Sequence, residues 1–276
     1  MSHKKAVLIT CAVALMWSLA GLNIKMIHWS GAAIAGGRSL IAAVLLTPLV
    51  LRSPCRRVTA PVIGGAVCYA AFNYCFIVST KLTTSANAIM LQYTAPIYVA
   101  LLSWVFLRER IRRSDLLCMA FVFGGMVLFF LDETGGGTPI GNLIAVFNGV
   151  TFAGISIFLR LQKDGNPVMS MYLGNLLSAL IGLPIILSAG LPDGPSLFFL
   201  LLAGGLSALT YALYARASTG LTALETVLLP IIDPVMNPVW VFLTLGERPG
   251  TLSLLGAAVV LSAVTARVLS AMQPEG

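Results

Sequence analysis

Charge is what this sequence has least of. Of 276 residues only 10% are Asp, Glu, Lys or Arg, whereas a soluble domain carries about 25%. Hydrophobic residues make up 58% and the mean hydropathy is +0.94. That leaves too little charge to cover a water-facing surface, so the chain reads as an integral membrane protein. Strict alternation of apolar and polar residues is also missing, which excludes a β-barrel and leaves helices. Ligand-bearing and catalytic motifs are lacking too. There is no G-x-x-x-x-G-K-[ST], no H-E-x-x-H and no G-x-S-x-G, so no nucleotide engine, zinc protease or nucleophile elbow is expected. The five cysteines form no C-x-x-C and read as inert thiols on a reducing side. The sequence therefore points away from an enzyme, and no metal, cofactor or catalytic residue is expected.

What is present is a series of long apolar runs. A helix needs roughly 20 apolar residues to cross a bilayer. On that length, ten membrane helices are expected: Ala6–Ile27, Ala32–Leu51, Pro61–Ser79, Ser85–Leu107, Asp115–Leu131, Pro139–Leu159, Pro167–Ser188, Ser196–Ala217, Thr222–Leu245 and Thr251–Leu269. Lys4 and Lys5 precede the first run as in a signal peptide. The run is too long for one and lacks a small-residue cleavage site, so it reads as a retained helix. With the N-terminus inside, 13 Lys and Arg residues fall on inner ends and three (Lys25, Lys81 and Arg248) on outer ends. This asymmetry places both termini in the cytoplasm. It also explains the net charge of +7 with no nucleic-acid partner.

The chain repeats itself. "SANAIMLQYTAPIYVALLSWVFLRER" is followed, 138 residues later, by "ALETVLLPIIDPVMNPVWVFLTLGER". The offset pairs Pro96 with Pro234, Thr84 with Thr222 and Glu109–Arg110 with Glu247–Arg248. Two five-helix repeats are expected, 1–134 and 135–276. Because five is odd, the second enters the membrane inverted, a design common among secondary transporters.

The stretches "ALMWSLAGLNIK", "GGRSLIAAVLL", "NYCFIVSTKLTTSANAIMLQYTAPIYVALLSWVFLRERI" and "GGMVLFF" resemble the drug/metabolite transporter superfamily, EamA-type. Within it the chain looks most similar to the aromatic amino acid exporters (YddG-like). The resemblance implies ten helices around a central cavity lined by helices 1, 3, 4, 6, 8 and 9, with helix 2 at the periphery. It implies export of aromatic and other neutral amino acids across the plasma membrane, the bacterial inner membrane. Export of drugs or other small metabolites is the alternative. A non-transporting scaffold or receptor is the alternative of another class. Membrane lipid and a small-molecule substrate are the expected partners, with protons an open coupling ion and the protein a monomer or weak dimer.

The residues themselves nominate a site. Tyr69, Asn73, Phe76 and Thr80 share one helical face, and adding 138 gives Ser207, Tyr211, Tyr214 and Ser218. Two matched polar, aromatic stripes read as one interior surface or as helix–helix hydrogen bonding. Asp233 shares a face with Thr226, Leu229, Asn237 and Trp240, and its repeat mate is Ala95. An acid at mid-membrane costs about 2.5–3.5 kcal/mol on insertion scales. One present in a single copy reads as a partner for a substrate ammonium, a proton carrier or a local ion pair. Trp17, Gln92, Tyr93 and Asn148 complete the candidate substrate site. Pro96 and Pro234, mid-helix and repeat-related, read as hinges. Arg38 reads as a snorkelling or bundle residue, and Glu225 as either functional or reaching the interface.

Overall fold

The computed structural model describes residues 1–53, 57–107, 113–131, 137–246 and 250–272. Cys55, residues 108–112, residues 132–136 and Glu247–Arg248 lie outside the described residues. All regular structure among the described residues is helical. The helices are α1 (His3–Trp17), α2 (Ala20–Lys25), α3 (Gly31–Leu51), α4 (Ala60–Leu82), α5 (Ser85–Gln92), α6 (Ala95–Leu102) and α7 (Arg113–Phe130). They continue as α8 (Pro139–Leu161), α9 (Val168–Ala189), α10 (Gly194–Ala217), α11 (Ala223–Leu228), α12 (Ile232–Leu245) and α13 (Thr251–Met272).

Among the described residues, seven stretches are long and apolar enough to cross a membrane: His3–Lys25, Gly31–Leu51, Ala60–Leu82, Asn87–Leu107, Pro139–Leu161, Val168–Ala189 and Gly194–Gly220. Their outer faces are apolar as well as their inner ones. Leu187 is 74% exposed and Trp104 66%, with Leu8, Phe106 and Leu143 in the same condition. Water would penalise such a surface at roughly 25 cal/mol per Å², whereas lipid does not.

Helix starts follow the side-chain chemistry. Ser30, Thr84, Thr138, Asp193 and Thr222 each accept a bond from a backbone N–H three residues on, which satisfies a donor the first turn leaves orphaned. Thr84 and Thr222, 138 residues apart and paired in the expected repeat, cap their helices in the same way. Glu225 closes a capping box on Thr222 and bonds His3 at 3.1 Å. It is thus a structural residue at a helix start.

The bundle is built from close pairs. α3 lies on α9, α4 on α8 and α9, α10 on α3 and α1, and α7 on α13. At the α3–α9 contact the backbones meet: a Cβ on Gly36 would sit 2.7 Å from the Gly182 Cα, and one on Gly182 would sit 2.9 Å from the Tyr74 hydroxyl. Only glycine lets these backbones meet. α7 and α13 form a lateral unit around Cys118, Val122 and Val260, reaching the rest through Leu228.

Three of the expected continuous helices are interrupted. The first turns at Ser18–Leu19 between α1 and α2, where the Ser18 hydroxyl bonds the Leu15 carbonyl at 2.7 Å. The fourth is interrupted at Tyr93–Thr94 and ends in a π-helical turn, Ser103–Leu107. The ninth is interrupted at Leu229–Ile231, where Pro230 leaves helical geometry (φ −70°, ψ 34°). The interruptions therefore precede Pro96 and Pro234 instead of falling on them. The cause is steric: a proline ring clashes with the carbonyl four residues back, which is Gln92 for Pro96 and Pro230 for Pro234. Pro96 itself lies in the first turn of α6, where its missing N–H costs nothing.

Candidate functional site

The interruptions gather at the centre of the bundle and hold one another. Tyr93, at the end of α5, donates its hydroxyl to the Pro230 carbonyl. Pro234 denies that carbonyl its helical partner, and a buried carbonyl without a donor is costly. Trp240 of α12 donates its ring N–H to Ser18 at 3.1 Å, at the first interruption. α8 supports the fourth helix's interruption from behind. A Cβ on Gly149 would lie 2.9 Å from the Gln92 carbonyl and would strike the Thr94 hydroxyl. Asn148 donates to the Gln92 side chain at 2.7 Å.

The two stripes are buried and face each other. Tyr69 bonds Ser207, 138 residues on, at 3.2 Å, and donates to Asn175 at 3.2 Å. The Tyr69 ring meets Tyr211 edge-on at 4.8 Å. Trp17 stands 5.1 Å from Tyr211 and 5.0 Å from Tyr214, and donates its N–H to Thr210 at 2.9 Å. Phe72 and Phe76 stack in parallel at 6.1 Å. Tyr214 bonds Ser156 at 3.3 Å and the Thr226 carbonyl at 3.2 Å, tying α10 to α8 and α11.

A cavity of about 40 Å³ remains among these groups. On this measure a water needs roughly 10–15 Å³, so it takes a few waters and no organic solute. Its walls include five of the expected site residues: Trp17, Phe76, Gln92, Tyr211 and Asp233. Tyr69, Asn73, Tyr93, Asn148, Tyr214 and Trp240 stand behind them, as the hydrogen bonds above show. The side chain of Asn237 lies outside the described residues.

Arg38 makes a bundle contact, one of the two placements expected of it. It neither snorkels nor sits at the periphery: it is 4% exposed and reaches the same cavity wall as Asp233, also 4% exposed. α3 is held inward by α10 as well as α9. Arg38 donates to the Asn73 side-chain oxygen, while the Asn73 nitrogen donates to Ser39 at 3.0 Å and the Ala35 carbonyl at 3.2 Å. Asn73 is thus a clamp on the guanidinium. Phe72, Asn23 and Thr210 also line the cavity and were not nominated. The pairing of Arg38 with Asn73 across helices is the part no single-helix pattern reveals.

At the ends of the bundle, Lys25 donates to the Thr83 carbonyl at 3.3 Å and Lys81 to the Ile27 carbonyl at 2.7 Å. Thr138 bonds the Leu82 carbonyl at 2.8 Å through its hydroxyl. This end, expected to be the outer one, is laced shut by charged and polar side chains on backbone carbonyls.

Residues 4–131 match the sequence profile of the EamA-like transporter family. The match takes in α1 to α7 and ends where the second repeat is expected to begin. An uncharacterised protein of Pseudomonas aeruginosa, PA1977, is 29% identical over 227 residues, 75% of this chain and 76% of the relative. An uncharacterised transporter of Bacillus subtilis, YwfM, is 27% identical over 209 residues, 71% of this chain and 69% of the relative. A crystal structure of a protein 19% identical superposes with a TM-score of 0.73 and covers 99% of both chains, which shows a shared fold.

Proposed function

We propose that this chain is a secondary transporter of the bacterial inner membrane that exports neutral amino acids, aromatic ones first. It works by alternating access between two inverted five-helix repeats, 1–134 and 135–276, with ten membrane helices and both termini in the cytoplasm. The similarity to the EamA-like family and to a named transporter supports transport. One observation carries the mechanism: two repeat-related interruptions, at Tyr93–Thr94 and at Pro230, are bonded to each other beside a cavity lined by aromatic rings.

Rigid helices would have to move whole to open a path. Interrupted ones let each half-helix tilt about its gap, and repeat-related gaps in oppositely oriented copies give one gate per side. Pro96 and Pro234 keep those gaps from closing into continuous helix. The cavity of about 40 Å³ is far below the roughly 300–1,000 Å³ of a ligand pocket. As it stands, this cavity is too small to admit an amino acid, so it must widen for transport. Trp17, Phe76, Tyr211 and the rings packed around them offer an aromatic side chain offset-stacked contacts, each worth about 0.5–1.5 kcal/mol beyond area burial.

The inverted topology is tested by labelling single cysteines with a membrane-impermeant thiol reagent. His28→Cys is expected to react in intact cells and Asp164→Cys only after permeabilisation. Reaction of both from outside would break the orientation. The substrate class is tested by counterflow of labelled phenylalanine against a panel of amino acids and unrelated metabolites. Competition by neutral amino acids above all supports it, and competition only by other solutes moves the substrate to the metabolite class.

A further inference from the structure

The candidate cavity holds two buried ionisable side chains, one basic and one acidic, that do not pair with each other. Arg38, on α3, and Asp233, on α12, are each 4% exposed and each reach the same cavity wall. Among the described residues no ion pair within 4 Å joins them. Arg38 Nε and Asp233 Oδ1 are both buried without a hydrogen-bond partner. Arg38 is bonded through Nη2 to Asn73, itself fixed by Ser39 and the Ala35 carbonyl. Removing one partner of a buried charge pair is strongly destabilising, and orphaned polar atoms are rare in folded proteins. A donor and an acceptor orphaned on one cavity wall call for a ligand carrying both complements.

We infer that Arg38 and Asp233 form a charge clamp for a zwitterion: the guanidinium takes the α-carboxylate and the Asp233 carboxylate takes the α-ammonium. This rests on the amino acid transport reading above and deepens it. The clamp fixes the charged end of the substrate between α3 and α12, and leaves the side chain to Trp17, Phe72, Phe76 and Tyr211. Because α3 belongs to the first expected repeat and α12 to the second, a bound zwitterion joins the two halves. A solute with one charge leaves the opposite clamp residue buried and uncompensated, so the site rejects amines and acids of the same shape.

The test is counterflow of labelled phenylalanine in proteoliposomes, competed by phenylalanine, phenethylamine and 3-phenylpropionate. For the wild type, both single-charge analogues are expected to compete at least about tenfold more weakly than phenylalanine, the size of one lost charge-assisted bond. Arg38→Gln is expected to abolish the disadvantage of phenethylamine, and Asp233→Asn that of 3-phenylpropionate. The wild-type series decides even if a variant fails to fold. Analogues that compete as well as phenylalanine overturn the clamp and leave transport standing. A wild type that carries no phenylalanine or other zwitterion overturns the amino acid reading, and the clamp with it.

Discussion

Tyr93→Phe removes one atom, the hydroxyl that reaches from the interruption in one expected repeat to the Pro230 carbonyl in the other. Tyr93 is 2% exposed, so the ring stays packed and only the bond is lost. A buried carbonyl left without a donor costs about 1–3 kcal/mol in a soluble core. Hydrogen bonds within membrane proteins average about 0.6 kcal/mol. The expected loss is therefore about 1 kcal/mol in an equilibrium unfolding titration in mixed micelles. The carbonyl needs Tyr93 because Pro234 supplies no N–H four residues on. In Pro234→Ala the helix can close onto Pro230 through its own backbone, and the tyrosine becomes redundant. Tyr93→Phe is then expected to cost near zero in the Pro234→Ala background, so the double-mutant cycle reads a coupling of about 1 kcal/mol. An equal cost in both backgrounds would refute the argument that the proline creates the orphan and the tyrosine answers it.

Other consequences are as direct. Gly36→Val or Gly182→Val forces a side chain into the α3–α9 backbone contact, and overpacking of this kind costs about 1–3 kcal/mol. Thermal denaturation in detergent is expected to fall for both, while Gly205→Val, where a Cβ meets open space, stays near the wild type. Gly149→Ala presses on the Gln92 carbonyl and the Thr94 hydroxyl. Its effect is expected to be larger on transport rate than on the apparent affinity for phenylalanine, since it presses on the backbone of the interruption. Asp193 caps α10, and hydrogen bonding from the Ser196 side chain, then from its backbone N–H, holds its carboxyl below the usual carboxylate range. A lowered folded value gives stability that is present above about pH 4, the unfolded value, and is lost as pH falls through the folded one. Asp193→Asn is expected to flatten that acid limb of a stability–pH curve, and an unchanged limb would contradict it.

Much of this was legible in the sequence, because lipid makes the pattern simple. Apolar runs gave the helices, and Thr84 with Thr222 gave two of their starts. The stripes through Tyr69 and Tyr211 gave a buried face, since helical periodicity fixes which side chains share a side. Pro230 shows where legibility ends. Three prolines in one helix announce a disturbance, but its place depends on which carbonyl finds a donor elsewhere, and Tyr93 lies 137 residues away. Arg38 was left open between snorkelling and a bundle contact for the same reason. A lone cation in an apolar helix normally reaches for the interface, and only the neighbouring helices decide whether it turns inward. Asn73 was rightly placed on an interior face, yet its task is to hold Arg38, a relation between helices that periodicity does not encode.

The central claim is transport through the Tyr211 cavity. The most direct measurement is saturable uptake of labelled phenylalanine into proteoliposomes, with and without a pH gradient, for the wild type and Tyr211→Ala. The account predicts flux above empty liposomes for the wild type and its loss in a variant that remains folded by circular dichroism. Dependence on the pH gradient would reveal proton coupling. Wild-type vesicles no different from empty ones, for phenylalanine and for every other solute in the panel, would contradict it and leave a membrane scaffold.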